Sequence, residues 1–423
     1  MEGPFSNSDL IADLFQLRPR RRTTQIMKKL LLLTLVILAS AGFVNAQVKG
    51  HVLIPDSSIA RPGDAGIRAH TNHLIFVPDQ GDSTSPQGET PASLGCVYGL
   101  VSSPKPGCPK TTSTSNPSGG SGLIVIVDAF DYASAASDLA TFSSTLGLPA
   151  PKFHVAFASG KPTPDCGWNQ EAALDIEWSH AMAPNAVIVL MEAKTNSTSD
   201  LMKAVDKANS LIAAHGGKGE VSMSWQSGEF SGETSLDSHF TGSNVVYFAS
   251  SGDSGGIVGW PSTSVNVVSA GGTTVHRDSN GNFTNEIAWA GSGGGDSTIE
   301  LRPTFQDVIQ NIVGTHRGTP DFSFDADPNT GVSVYETSPA CGGNDKWLVF
   351  GGTSVSSPAL AGVVNSTGSF NASSQAENTE IYGNMGNTSE FTDIKAGVCG
   401  SHSSVAGWDF CTGVGSDKGK SGK

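Results

Sequence analysis

The stretch Gly122-Leu-Ile-Val-Ile-Val-Asp128 decides the fold. Five consecutive apolar residues, most of them β-branched and without polar alternation, mark a strand buried on both faces, as inside a parallel sheet. A helical pattern follows over 133–146, then a second apolar run, Ala186-Val-Ile-Val-Leu190. The segment 199–214 reads as a helix with a Ser-Asp start and Gly216 at its stop. Further short strands are expected at 221–225, 245–249 and 265–268. Strands alternating with helices imply an α/β architecture, a mostly parallel sheet flanked by helices through right-handed crossovers.

The bulk composition sets the class of molecule. Only 15% of the 423 residues are charged, while Gly counts 51 and Pro 22, which suits a loop-rich extracellular protein. Apolar residues at 37% still supply a substantial core. At the N-terminus, Met27-Lys28-Lys29 precedes the apolar run 30–41 and the small-x-small pattern Val44-Asn45-Ala46. This reads as a secretory signal over 27–46, preceded by an N-terminal extension over 1–26. Its removal shifts the net charge from −14 to about −17, which argues against nucleic acid or an anionic membrane as partner.

Six cysteines lie beyond the signal, an even count that favours disulfides in an exported chain. Spacing suggests Cys96–Cys108 and Cys399–Cys411 as local loops, leaving Cys166 with Cys341, one of fifteen possible pairings. No CxxC or HxxxH spacing points to zinc. Residues 47–92 read as a linker or reduced pro-segment, and 93–423 as one catalytic-sized domain.

The chemistry concentrates in three places. The run Lys346-Trp-Leu-Val-Phe350 is a strand, Gly351-Gly352-Thr353-Ser354 is the turn after it, and a helix starts next with Pro358 in its first turn. A serine on a glycine-lined turn at a helix N-terminus exposes its hydroxyl beside main-chain N–H groups that favour developing negative charge. Ser354 is therefore the candidate nucleophile. The second place carries Glu171 and Asp175, spaced i and i+4 on one helix face together with Leu174, Trp178 and Met182. Two carboxylates on an inward stripe are costly unless they share a proton, and that arrangement suits a base and its orienter. In the third, Val245-Val-Tyr-Phe-Ala-Ser-Ser-Gly-Asp253, a strand runs into a glycine-flanked aspartate at its C-terminal end, where ligands meet parallel sheets. A buried, protonated Asp253 can donate to an oxyanion. None of the ten histidines stands in a recognisable catalytic setting.

Taken in order, these motifs resemble the sedolisin, or serine-carboxyl peptidase, family. The resemblance also draws on Ser-Met-Ser-Trp225, Trp289-Ala-Gly-Ser-Gly-Gly-Gly295 and Arg317-Gly-Thr-Pro-Asp321, and it spans roughly 93–415. It implies a subtilisin-like fold and a Ser354–Glu171–Asp175 triad, with Asp253 at the oxyanion hole and Ser224 and Trp225 bordering the substrate cleft. Asp128 would extend the carboxyl relay toward Glu171.

The resemblance further implies one structural calcium ion, held by the side chains of Asp393 and Asp409 and the carbonyls of Ile394, Val405 and Gly407. The expected protein is a secreted, monomeric endopeptidase acting on proteins or peptides in acid, with no nucleic acid and no membrane partner after signal cleavage. The alternatives are a tripeptidyl-exopeptidase or a catalytically silent, peptide-binding relative. A histidine-dependent subtilisin is disfavoured, because no Asp-Ser/Thr-Gly or His-Gly-Thr block occurs. Relatives usually carry a long, separately folded prodomain, which the roughly 45 residues between signal and domain do not match.

Overall fold

A computed structural model describes residues 49–423 apart from 80, 82, 111–114, 344 and 345. The extension 1–26 and the signal 27–46 lie outside the described residues. The chain begins with strands β1 (Gly50–Leu53), β2 (His70–Thr71) and β3 (Leu74–Pro78), then helix α1 (Pro91–Val97). Thr90 starts α1 with a reciprocal cap, its hydroxyl accepting from Ser93 N–H while the Ser93 hydroxyl accepts from Thr90 N–H. Such a cap is worth about 1 kcal/mol.

The α/β rhythm follows. It runs β4 (Leu123–Ala129), α2 (Ala135–Thr145), β5 (Lys152–Phe157), α3 (Cys166–Met182), β6 (Val187–Ala193) and α4 (Thr198–Ala214). Next come β7 (Gly219–Met223), β8 (Trp225–Gln226), β9 (Val245–Ser250), β10 (Val268–Arg277) and β11 (Phe283–Ala288). Then come β12 (Gly295–Leu301), α5 (Gln310–Val313), β13 (His316–Thr319), β14 (Phe322–Asp325), β15 (Val332–Glu336) and β16 (Lys346–Gly351). The chain closes with α6 (Thr353–Ser366), α7 (Ser374–Gly383), β17 (Phe391–Thr392), β18 (Val398–Cys399), β19 (His402–Ser403) and β20 (Ser416–Asp417).

The large sheet has the order β17-β20-β14-β10-β9-β7-β4-β6-β5. From β20 to β5 every neighbouring pair is parallel. Strand β4 lies third from the β5 edge, flanked by β7 and β6, with every residue buried, as its unbroken apolar run requires. Helices α3 and α6 are buried along nearly their whole length, with all fourteen residues of α6 inside. A second sheet, β1-β3-β16-β15, is antiparallel and carries the strand that leads to Ser354.

The expected elements sit close to where the sequence puts them, with two exceptions. The run 265–268 is mostly a turn, because the Ser264 carbonyl accepts from Val267 N–H at 3.2 Å and its hydroxyl from Asn266 N–H at 3.2 Å, so the strand starts only at Val268. The expected strand 221–225 breaks at Ser224 into β7 and β8. Three disulfides join Cys96 to Cys108, Cys166 to Cys341 and Cys399 to Cys411, the pairing that spacing suggests. Arg277 grips Glu89 through two bonds of 2.6 Å and fastens the segment before α1 to the end of β10.

Candidate active site

Ser354 occupies the first turn of α6, after a glycine that the geometry demands. Gly352 has φ 95°, and a Cβ there would overlap both the Asn72 carbonyl oxygen and Asp253 Oδ2. With no side chain at that point, both oxygens come close to the helix start. The Ser354 N–H donates to the Asn72 carbonyl at 3.1 Å, and the Ser354 hydroxyl donates to the Ser224 carbonyl at 3.4 Å. Ser354 itself is fully buried.

Asp253 lies three residues past β9, at the C-terminal end of the parallel sheet. Its Oδ1 accepts from the Thr353 N–H at 2.8 Å and from the Thr353 hydroxyl at 2.9 Å. Its Oδ2 is buried and has no hydrogen-bond partner among the described residues. Burial pushes the Asp253 carboxyl up to about 8, against the lowering effect of the two Thr353 bonds and with a further push from Glu171. The group is therefore protonated in acid and can donate from Oδ2.

Helix α3 starts at Asp165, whose side chain accepts from Trp168 N–H at 3.1 Å. It presents Glu171 and Asp175 inward, both fully buried, as are Leu174, Trp178 and Met182 on the same stripe. Asp175 Oδ1 accepts from the Ser224 hydroxyl at 2.8 Å, while Oδ2 has no hydrogen-bond partner among the described residues. Desolvation first, then the charges of Asp128 and Glu171, hold the Asp175 carboxyl well above its usual range. Asp128, near the end of β4, is buried with neither oxygen bonded among the described residues, and desolvation, Glu171 and Glu192 raise it strongly. Asp128, Glu171 and Asp175 thus form one cluster of buried carboxyls.

The structure does not bond Ser354 directly to Glu171. Glu171 Oε2 instead accepts from the Asn72 N–H at 3.1 Å and meets His73 Nδ1 at 3.0 Å, with His73 fully buried. Glu171 Oε1 has no hydrogen-bond partner among the described residues. Ser224 sits at the centre, with its hydroxyl on Asp175 and its carbonyl facing Ser354. Trp225 contributes its main chain to the same wall, while its indole turns away and donates to the Val127 carbonyl at 2.8 Å. Asn72 and His73 are the neighbours that sequence reasoning misses. Their only signal is a polar Thr-Asn-His interruption before the apolar run Leu74-Ile-Phe-Val77.

The C-terminal loop gathers the expected cation ligands. Asp409 Oδ2 accepts from Val405 N–H at 3.1 Å, and Asp393 Oδ1 accepts from Gly407 N–H at 3.1 Å, so both carboxylates face the turn 405–407. The carbonyls of Ile394, Val405 and Gly407 accept no hydrogen bond among the described residues. Asp393 Oδ2 pairs with Lys395, which is 62% exposed and easily displaced. These are oxygen donors of the kind a hard cation takes, while Asp409 Oδ1 also accepts from the Cys411 and Thr412 N–H groups at 2.9 Å, and the Cys399–Cys411 bridge spans the turn. No group of three or more His, Cys, Asp or Glu side chains that could hold a metal occurs among the described residues.

The parallel sheet, the buried helix opening at a serine and the strand end at Asp253 define a fold of the subtilisin-like class. Solved structures agree. A Pseudomonas sedolisin, a serine-carboxyl proteinase solved with two molecules of pseudo-iodotyrostatin, matches with TM-score 0.64 and 24% identity over 79% of this chain and 96% of that one. A psychrophilic protease and sphericase match with TM-scores of 0.52 and 0.51 at 19% identity, each over 79% of this chain and 99% and 98% of theirs.

Among curated proteins, sedolisin of Pseudomonas sp. (strain 101) is 33% identical over 175 residues, 38% of this chain and 28% of that protein. Kumamolisin of Bacillus sp. (strain MN-32) is 29% identical over 321 residues, 66% of this chain and 55% of that protein. The chain thus spans between about a quarter and about half the length of these relatives. No family model matches it. The chain is thus similar to sedolisin and kumamolisin over part of their lengths, on a fold of the subtilisin-like class.

Proposed function

We propose that the chain is a secreted serine-carboxyl endopeptidase that hydrolyses peptide bonds in acid through an acyl-enzyme on Ser354. Ser354 Oγ attacks the substrate carbonyl, Glu171 takes its proton, and the oxyanion forms between the Ser354 N–H and protonated Asp253. Glu171 returns the proton to the departing amine, and water then cleaves the ester with Glu171 again as base. Asp175 orients Glu171, and Ser224 ties Asp175 to the cleft wall. The observation that carries this reading is a peptide carbonyl, that of Asn72, lying against both the Ser354 N–H and the space beside Asp253 Oδ2. Kinship with sedolisin and kumamolisin supports the same chemistry.

Carboxyl groups shuttle protons only where both forms are accessible, so activity should peak at roughly pH 3–5. One calcium ion belongs to this reading, held by Asp393, Asp409 and the three carbonyls, where it would brace the C-terminal loop. Three disulfides and an apolar signal-like start support export. No helix among the described residues is long and apolar enough to cross a membrane. The test is digestion of an unstructured protein across pH, with product masses. Internal cuts in acid support an endopeptidase, tripeptides alone an exopeptidase, and no cleavage at any pH a peptide-binding relative.

A further inference from the structure

The side chain that accompanies a carbonyl held at Ser354 has a definable place. Asn72 supplies that carbonyl, and its N–H donates to the Ser224 carbonyl at 3.2 Å along the cleft wall. An extended substrate would pair with the same strand edge through its own main chain. Strand β2 runs antiparallel to β8, with His70 opposite Gln226. Residues directly opposite share one face of a ladder, and so do residues two apart. Asn72, His70 and Gln226 therefore turn to one side, and the acyl-side residue of a substrate would turn the same way.

Two side chains bound the space on that side. The Asn72 carboxamide donates from Nδ2 to Ser250 Oγ at 2.7 Å, and Ser250 is fully buried at the end of β9. Gln226 reaches the same stretch of chain. A Cβ on Gly252 would stand 2.5 Å from Gln226 Oε1 and 2.7 Å from its Nε2, and a Cβ on Gly259 would stand 2.6 Å from Oε1. The Gln226 carboxamide thus fills the gap between these two glycines, and a long side chain would find it occupied. Gln226 is 5% exposed, and its Oε1 has no hydrogen-bond partner among the described residues. A buried acceptor in that state favours a neighbour that brings a donor.

We propose, resting on the serine-carboxyl reading, that Gln226 and Ser250 select the acyl-side residue of the cleaved bond, admitting short side chains with an uncharged N–H or O–H donor, asparagine foremost. Gln226 limits the length and offers an acceptor, while Ser250 offers a hydroxyl. A large apolar side chain would collide with the Gln226 carboxamide and leave both oxygens without a bond. Lysine and arginine are too long for the space that Gln226 leaves. Discrimination of this kind rests on a filled gap as much as on a new contact.

The test gives the purified full chain, in acid, a set of peptides identical except for Asn, Ser, Leu, Phe or Arg on the acyl side of one bond. Product masses fix the bond cut, and kcat/KM is compared across the set. Asn should exceed Leu and Phe by about 10-fold or more, the worth of one or two net hydrogen bonds. Gln226→Ala should gain on Phe relative to Asn, and Ser250→Ala should lose more on Asn than on Leu. These ratios, taken within one preparation, do not depend on how much of a variant is folded. A wild type that cleaves after Leu, Phe or Arg as fast as after Asn overturns the selection, as do variants that keep the wild-type ratios. Either result leaves the peptidase reading standing. Cleavage of neither the peptides nor an unstructured protein overturns that reading and the selection with it.

Discussion

The main-chain N–H of Ser354 donates to the carbonyl oxygen of Asn72 at 3.1 Å. This contact joins a serine at a helix start to a residue 282 positions earlier and places a peptide carbonyl where negative charge would be stabilised.

Replacing Ser354 by Ala should abolish digestion of an unstructured protein in acid, a loss of about 10³-fold or more, without unfolding the chain. The Oγ bond it removes is a weak one of 3.4 Å, so circular dichroism and the thermal midpoint should barely move. An alanine variant that digests as fast as the wild type would remove Ser354 from the chemistry.

Asp253 should contribute as a donor rather than as a charge. Its carboxyl is held up to about 8, so it carries a proton throughout the acid range. Asp253→Ala should lower kcat by about 10²–10³, whereas Asp253→Asn, which keeps a donor at every pH, should lose less. Equal losses in the two variants would argue that the ionised form matters.

His73→Ala should separate two mechanisms. If Glu171 is the base, removing the imidazole frees Oε2, and digestion of an unstructured protein in acid should persist. If the histidine were the base, that digestion would fall by orders of magnitude. A digestion assay across pH on the variant and the wild type separates the two.

Thermal stability should decline as pH rises from 4 to 8. Burial raises Asp253 and Glu300 to about 8, Glu192, Glu233 and Glu377 to about 7, and Asp417 to about 6. In the unfolded chain each loses its proton near 4. Between these values the native state binds more protons, so the stability these groups contribute is complete below about pH 4 and is lost as pH climbs through the native values. Calorimetric midpoints at fixed ionic strength should fall over this window, and a midpoint that rises from pH 4 to 7 would contradict the protonated assignment.

Chelation should lower the thermal midpoint, and added calcium should restore it. At a free concentration a hundred times the dissociation constant, an ion bound only by the native state adds about 2.7 kcal/mol. Asp393→Asn and Asp409→Asn should blunt the response. A midpoint indifferent to both chelator and calcium would show that the loop needs no ion.

The parts legible in the sequence are those whose signal is local. The β4 run names a buried strand by itself, and Gly352, Thr353 and Pro358 mark a turn entering a helix. Spacing alone places Glu171 and Asp175 on one face, although it does not reveal that Glu177, two residues past Asp175, is equally buried, its Oε2 accepting from Tyr335 N–H at 3.0 Å. Asn72 and His73 escape because their partners are remote. Pairing of β2 with β8 joins residues about 155 apart in a two-residue ladder, too short for any alternation to show. Strand β5 escapes because it forms the exposed edge of the sheet, where apolar and polar residues mix.

The bridge from Cys166 to Cys341 encloses a loop of 175 residues that holds Glu171, Asp175, Ser224 and Asp253, with Ser354 just beyond its end. A peptidase of the proposed kind, at high local concentration, would expose its own surface loops to its neighbours. A single nick anywhere between those cysteines would leave both fragments covalently joined, with the remaining contacts free to hold them in register. Damage that would scatter an unbridged chain becomes a silent scar, visible only after reduction.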